Sequence, residues 1–390
     1  MRVLEGTVVL DLCGRYPGAY TTMFLGDFGA KVIKIDRASK PLVGSADERF
    51  AAYYALDRNK KSIVINLKNP EGLKIFYTLV EQADVLVEGF RPGAMDRLNA
   101  GYNALKKINE RLVYCSLSGY GQTGPYASLP GHDLNYTAIG GCLSLIGEKK
   151  GRPYLPGNFI GDMAGAGLHG AIGILLALIA REKTGCGQFV DIAYLDGVLS
   201  LLSATASFYF ASGAVPRRGE TLTTGSSPWI NLFKCKDEEY ITIGCLEPHL
   251  WENLCKVLEQ NELLAYTSTN PPHQEKQDEI ISILAKIFLT KTSDEWFELA
   301  KEKELPITPV YYLDETLSDP HVEQRMVLEL EHPKFGKVKQ LDISIKLSNT
   351  PGEVRSLGVV PGANSDEILL NLGLSKEEIV HLRKVGAVGA

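Results

Sequence analysis

Short apolar runs that alternate with helical segments through the first half of the chain leave it few folds to choose from. Residues 7–12 read as a buried strand, 19–28 as a helix, and 31–35 as a second strand running toward Asp36 and Arg37. The rhythm continues with a strand at 63–67, a helix at 70–82, strands at 85–87 and 112–116 around a short helix at 94–98, and a further strand at 188–192. Strands alternating with helices predict an α/β fold class, a mostly parallel sheet with helices on both faces.

One stretch carries more than packing requires. Residues 131–182, GHDLNYTAIGGCLSLIGEKKGRPYLPGNFIGDMAGAGLHGAIGILLALIARE, place His132 in Gly-His-Asp and Asp162 at the entry to a long apolar helix. Residues 167–181 read as that helix, with Leu168, Ile172, Leu175, Leu176 and Ile179 on a wide apolar face. Gly161, Gly165, Gly167, Gly170 and Gly173 each cost roughly 1 kcal/mol against alanine in or beside a helix, so close approach of a backbone or ligand is the expected reason for them. A carboxylate at a helix mouth is stabilised by free N–H groups and the dipole, which keeps Asp162 ionised and fit to act as base or nucleophile. A plain N-cap role explains the same residue. For His132, an acid/base role stands beside that of a turn histidine bonded to backbone.

The overall balance narrows the function classes. With 390 residues, 45% hydrophobic and 23% charged, the chain is long enough for two domains with their own cores. A net charge of −6 gives no nucleic-acid footprint, so basic residues matter only locally. Seven cysteines without C-x-x-C spacing suggest a reducing compartment and no metal centre. MRVLEGTVVLDL lacks the regions of a signal peptide and the apolar run 170–180 is too short for a bilayer, so the expected setting is cytoplasmic, with no membrane partner.

Several loops invite a ligand. Residues 13–18 lack G-x-G-x-x-G, which argues against a nicotinamide site although Asp36 ends the second strand. Arg58-Asn-Lys-Lys-Ser62 reads as a basic turn, able to hold phosphates or simply solvated. Glu88-Gly-Phe-Arg-Pro-Gly93 follows a strand end, where ligands of open sheets gather, and makes Arg91 a candidate phosphate contact. The loop from Ser118 to Tyr126 holds glycines that permit close backbone approach, and it leads directly to His132. Past Asp196 come a mainly helical stretch at 198–211, a hairpin pairing 229–235 with 240–245, a helix opening at Glu247-Pro248, and helices at 279–289 and 293–300. Residues 200–319 are expected to form a smaller α+β domain, with 1–199 and 320–390 making the larger one.

The ordered motifs LGDFGAKVIKIDR, DVLVEGFRPG, SLSGYGQTGPY, PGHDLNY, GDMAGAGLHGAIG, TGCGQFVDIAYLDG, CLEPHLW and SDPHVEQRMV span essentially the whole chain. Together they resemble the class III CoA-transferase and α-methylacyl-CoA racemase (CaiB/BaiF) family. The resemblance implies a large Rossmann-like CoA-binding domain built from both chain ends, a small domain, and a homodimer whose subunits interlock like links of a chain. Coenzyme A would enter as the substrate thioester, with no further cofactor. Its phosphates would meet Arg37, Arg58, Lys61 and Arg91, with Tyr126 near the pantetheine arm. An ordinary surface charge is the alternative for each basic residue.

Within that family, transferases commonly carry an aromatic residue where racemases carry the histidine of GHDINY; here the text is GHDLNY. Gly244-Cys-Leu-Glu247-Pro248 matches the racemases' G-A-I-E-P, and the glycine-rich small-domain loop of formyl-CoA-type transferases is not found. Inverting C2 beside a thioester takes a proton from one face and returns one to the other, so two acid/base groups must flank one carbon, each supplying about 10² to 10⁴ in rate. His132 and Asp162 suit those parts, Glu247 would orient His132, and Asp133 would support it from behind. Backbone N–H groups at the start of the Asp162 helix would meet the enolate oxygen. In a transferase the Asp162 carboxylate would instead attack the thioester carbonyl, giving an aspartyl-CoA intermediate. Asp162 fits both mechanisms. Ser227-Pro-Trp-Ile230 stands where racemases tend to read A-P-F-Y, and only five methionines are present, so a reshaped acyl pocket is expected. A catalytically silent CoA-binding subunit is the third reading, disfavoured by an intact His132 and Asp162.

Overall fold

The computed structural model describes residues 2–14, 16–37 and 47–389, so Arg15 of the loop after the first strand lies outside the described residues. The chain divides into two compact units, one of Met1–Gly140, Gly157–Leu202 and Pro320–Ala390, the other of Gly141–Pro156 and Ser203–Asp319. The segment Gly141–Pro156, expected in the larger unit, groups with the smaller one. Arg218 explains this, donating to the Gly151 carbonyl at 2.8 Å and to the Ser144 carbonyl at 3.2 Å.

In the larger unit β1 (Val8–Asp11), β2 (Lys31–Asp36), β3 (Lys60–Val64), β4 (Val85–Glu88), β5 (Val113–Ser118) and β6 (Phe189–Ala193) form one parallel sheet in the order β3-β2-β1-β4-β5-β6. Alternate residues along each strand feed opposite faces. Val9, Val32, Val85, Val87, Val113 and Cys115 pack with Met23, Phe24 and Leu25 of the helix Tyr16–Asp27. Leu10, Ile33, Ile63, Leu86 and Tyr114 pack on the other face with Phe76, Leu79 and Val80 of Pro70–Glu81 and with Ile368, Leu369, Ile379 and Leu382 near the C-terminus. Burial on both faces is why the strands read as continuous apolar runs, each large side chain contributing roughly 1.5–3 kcal/mol. The order reverses between β1 and β4, which opens a crevice at their carboxyl ends.

Two expectations change. Only Arg58 and Asn59 of the basic cluster form a turn, and the third strand begins at Lys60, which is buried with its ammonium 3.0 Å from the Asp11 carboxylate and 3.5 Å from that of Asp57. The apolar helix is longer than 170–180, running Ile160–Thr184, and its composition and length would suit a membrane span. Its wide apolar face does not turn inward: Leu168, Ile172, Leu175, Leu176 and Ile179 are exposed, while Gly170, Ala171, Ile174 and Ala177 are buried. The reason is spacing. A Cβ on Gly170 would stand 2.8 Å from Thr21 Oγ and 3.0 Å from Leu117, so that position has room only for glycine.

The second unit is built on the antiparallel strands β7 (Ile230–Lys234), β8 (Tyr240–Gly244) and β9 (Ile307–Pro309). Trp229, Trp251 and Trp296 fill its core, and each indole N–H reaches a carbonyl, those of Tyr266, Leu263 and Phe288. The hairpin β10 (Val327–His332) and β11 (Gly336–Leu341) belongs to the larger unit.

Candidate active site

His132 is the N-cap of the helix Asp133–Ile139, its backbone N–H donating to Asn135 Oδ1 at 3.0 Å. Its side chain is exposed, whereas Asp133 is half-buried. Asp133 Oδ1 accepts the backbone N–H of Asp162 at 2.8 Å. This one bond brings the Gly-His-Asp motif to the turn that carries the second candidate acid/base. Asp133, expected behind His132, therefore serves the Asp162 turn, because the first N–H groups of a helix have no partner within it and take a carboxylate readily. The N-cap explanation of Asp162 does not hold. Phe159 occupies the cap without a side-chain bond, and Asp162 sits half-buried in the first turn.

That turn is π-helical over Ile160–Leu168 before the α-helix His169–Thr184 begins. Widened turns of this kind recur at functional sites because they re-aim side chains. Side chains make up its hydrogen bonding: Thr21 Oγ donates to the Gly167 carbonyl at 2.9 Å, and His169 Nδ1 lies 2.9 Å from the Ala164 carbonyl. The backbone N–H groups expected to meet an enolate are partly spent. Asp162 N–H goes to Asp133, and Met163 N–H to the Phe159 carbonyl at 2.7 Å.

Aromatic rings wall the site. Tyr126 meets Tyr120 at a centroid distance of 5.8 Å, Tyr120 meets Tyr136 at 5.2 Å, and Tyr136 meets Tyr194 at 5.0 Å. A Cβ on Gly119 would fall 2.5 Å from the Tyr136 ring, which explains the glycine at the start of that loop. Burial raises the Tyr194 hydroxyl well above the usual tyrosine range, with Cys13 and the Asp162 carboxylate adding to it.

The basic residues separate. Arg58 is buried, its guanidinium bonded to the Asp27 carboxylate (Nη2 to Oδ2, 2.7 Å) and to the Leu341 carbonyl. It is a core ion pair and offers no charge to a phosphate, a correction the run Arg-Asn-Lys-Lys could not reveal. Lys61 is exposed enough to reach solvent and pairs with Glu367. Arg37 lies over the Phe90 ring at 4.8 Å, which links the loops after β2 and β4 above the end of β1. Arg91, next to Phe90, is exposed, as is Tyr126. Glu247 is exposed at the N-cap of Pro248–Val257 in the second unit.

Two residues at this edge were not singled out from sequence. His169 follows the Asp162 turn; only its seven-residue separation from Asp162 could have pointed to it. Glu88, last in β4, is buried and accepts the Phe90 N–H at 2.7 Å. Burial raises its carboxyl to about 7, Ser116 and the Phe90 N–H oppose the rise, and Asp96 and Asp191 add to it. The signal was a carboxylate ending the apolar strand Val-Leu-Val. Among the described residues no cluster of His, Cys, Asp or Glu has metal-binding geometry.

The model of CoA-transferase family III matches residues 4–367. The chain is 34% identical over 388 residues to the α-methylacyl-CoA racemase of Homo sapiens, covering 97% of this chain and 96% of that one. It is 33% identical over 350 residues to the human succinyl-CoA:glutarate CoA-transferase, covering 87% of this chain and 78% of that one. Among solved structures, a CaiB/BaiF family protein from Brucella suis superposes with a TM-score of 0.81 at 27% identity, over 95% of this chain and 99% of that one.

Proposed function

Because the chain belongs to CoA-transferase family III, we propose that it inverts C2 of a 2-methylacyl-CoA by proton transfer through an enolate. The observation that carries this reading is the 2.8 Å bond from Asp162 N–H to Asp133 Oδ1, which ties the histidine-bearing motif to the Asp162 turn. One of His132 and Asp162 takes the C2 proton into its lone pair, leaving the charge on the thioester oxygen; the other returns a proton to the opposite face. The carboxyl ends of β2 and β4 supply Arg37 and Arg91 for the phosphates of CoA, Lys61 near the start of β3 is a further basic candidate, and Tyr126 lies along the pantetheine arm. CoA is carried as substrate and no other cofactor is needed. The exposed apolar face of Ile160–Thr184 supports a homodimer with interlocked subunits, since so large an apolar strip ordinarily meets a partner. We place the enzyme in the cytoplasm, without a membrane or nucleic-acid partner.

A second reading has its own support in the relatives named as CoA-transferases. There the Asp162 carboxylate attacks the thioester carbonyl and expels CoA thiolate, giving a mixed anhydride; the thiolate then attacks the Asp162 carbonyl, which releases the acyl carboxylate and leaves CoA as an aspartyl thioester. Proton NMR with a (2R)-2-methylacyl-CoA in D₂O, repeated with a free carboxylic acid, separates them. Deuterium entering C2 with loss of stereochemical purity, abolished by His132→Ala, is the expected result. CoA moving to the added acid without exchange at C2 would replace the racemase reading with the transferase one.

A further inference from the structure

The turn that carries Asp162 is held by side chains, and one of them lies outside the acid/base set. His169 stands where the π-helical turn passes into the α-helix. Its backbone N–H donates to the Ala166 carbonyl, while its Nδ1 lies 2.9 Å from the carbonyl of Ala164, five residues back. A five-residue span is the span of a π-turn, so the imidazole supplies a bond of the same reach as the ladder it closes. On the far side of the ring, Nε2 lies 3.1 Å from Ser200 Oγ, which is itself 2.7 Å from the Gly197 carbonyl.

A carbonyl can only accept, so Nδ1 carries a proton. Ser200 Oγ donates to the Gly197 carbonyl and faces Nε2. A free neutral imidazole carries its proton mainly on Nε2, so the environment holds one on Nδ1. We propose that His169 is a positioning residue for Asp162: its imidazole, protonated on Nδ1, spans Ala164 and Ser200 and holds the π-helical turn in the register that presents the Asp162 carboxylate. Relaxation to an ordinary α-helical register would rotate a residue by roughly 100° about the axis, enough to carry Asp162 away from its target. The inference rests on the reading of Asp162 as the acid/base or nucleophilic residue, and it serves both mechanisms equally.

Three variants test it in the full chain. His169→Asn keeps a nitrogen donor at the same distance from Cα as Nδ1, His169→Gln moves the donor outward, and His169→Leu removes it. Expected are a kcat lower by about 10- to 100-fold for Leu and Gln with KM within about threefold, and a kcat within about fivefold of wild type for Asn. Equal kcat for Leu and wild type, or a loss shared equally by Asn and Leu, overturns the proposal. Two readouts need no turnover. Nitrogen-15 NMR of the imidazole should report the Nδ1–H tautomer, and amide exchange at Gly165–Gly167 should quicken at least tenfold in His169→Leu but not in His169→Asn. An Nε2–H tautomer, or unchanged exchange in the Leu variant, overturns it as well. A wild type inactive in both exchange and transfer would fail the functional reading alone, and the tautomer and exchange results would still decide how the turn is held.

Discussion

Two sets of carboxylates share the larger unit and use their charge differently. Around β1 to β3, Asp11, Asp57 and Asp27 are buried against Lys60, Lys34 and Arg58, with Lys34 2.5 Å from Asp57 and Arg58 2.7 Å from Asp27. Every charge there has a partner, and several have two. At the Asp162 turn the Asp133 carboxylate accepts a backbone N–H, and both Asp133 and Asp162 are only half-buried. A charge saturated by opposite charges in the core is committed to the fold. One at the water-accessible start of a helix stays open to solvent and substrate.

The sharpest way to break this distinction is at the two aspartates that anchor it. Asp162→Asn should leave the unfolding midpoint nearly unchanged and lower C2 exchange or CoA transfer by about 10² to 10⁴-fold. Activity surviving that change would make Asp162 structural. Arg58→Ala should behave in reverse, costing about 3–5 kcal/mol in denaturant unfolding by leaving Asp27 buried and unpaired, with CoA affinity of the folded fraction unchanged. Its counterpart Arg91→Ala should weaken CoA binding about tenfold in calorimetry without loss of stability. A CoA defect in folded Arg58→Ala would return that residue to the phosphate site.

Glu88 tests the comparison at its boundary, being buried like the first set but bonded to a backbone N–H and the Ser116 hydroxyl. Its carboxyl is raised to about 7 by burial, so the folded state binds the proton more tightly than the unfolded chain does. Stability tied to this group is therefore present at low pH and lost as pH rises from about 4.5 through 7. Glu88→Gln, which stays neutral, should gain about 1–3 kcal/mol on wild type at pH 8 and little at pH 4.5. Urea unfolding at the two pH values checks it; an equal difference at both would remove the ionisation from the account.

Much of this was legible before the structure. The parallel sheet followed from strand and helix alternation, since strands buried on both faces leave uninterrupted apolar runs. Strand β9 was not legible, because Pro306 precedes it and Pro309 is its last residue, and proline is a poor strand former. The inward face of the apolar helix was misread for a related reason: hydropathy ranks Leu and Ile as core, yet close contact with Thr21 and Leu117 selects Gly170. Of the candidate site, the types and order of His132, Asp133 and Asp162 could be read from motifs. That Asp133 binds the Asp162 N–H could not, because the two lie far apart in the chain. Nor could the difference between Arg58 and Arg91, which is a matter of burial.

The larger unit is assembled from three separated stretches, and its last piece closes on its first strands. Gly389 N–H donates to the Val64 carbonyl at 3.1 Å, Asn66 N–H to that of Ala387 at 2.9 Å, and Ile379 and Leu382 fill the core under β3. During synthesis the sheet must wait with that side uncovered while the whole second unit emerges, and a compact unit of its own can fold in the interval. The Asp162 turn emerges before most of that unit, yet the sheet it packs on is covered on its other face only after it. Order of translation and order of assembly are thereby uncoupled, and a ribosome paused after residue 319 would hold a finished small unit joined to an open, catalytically idle sheet.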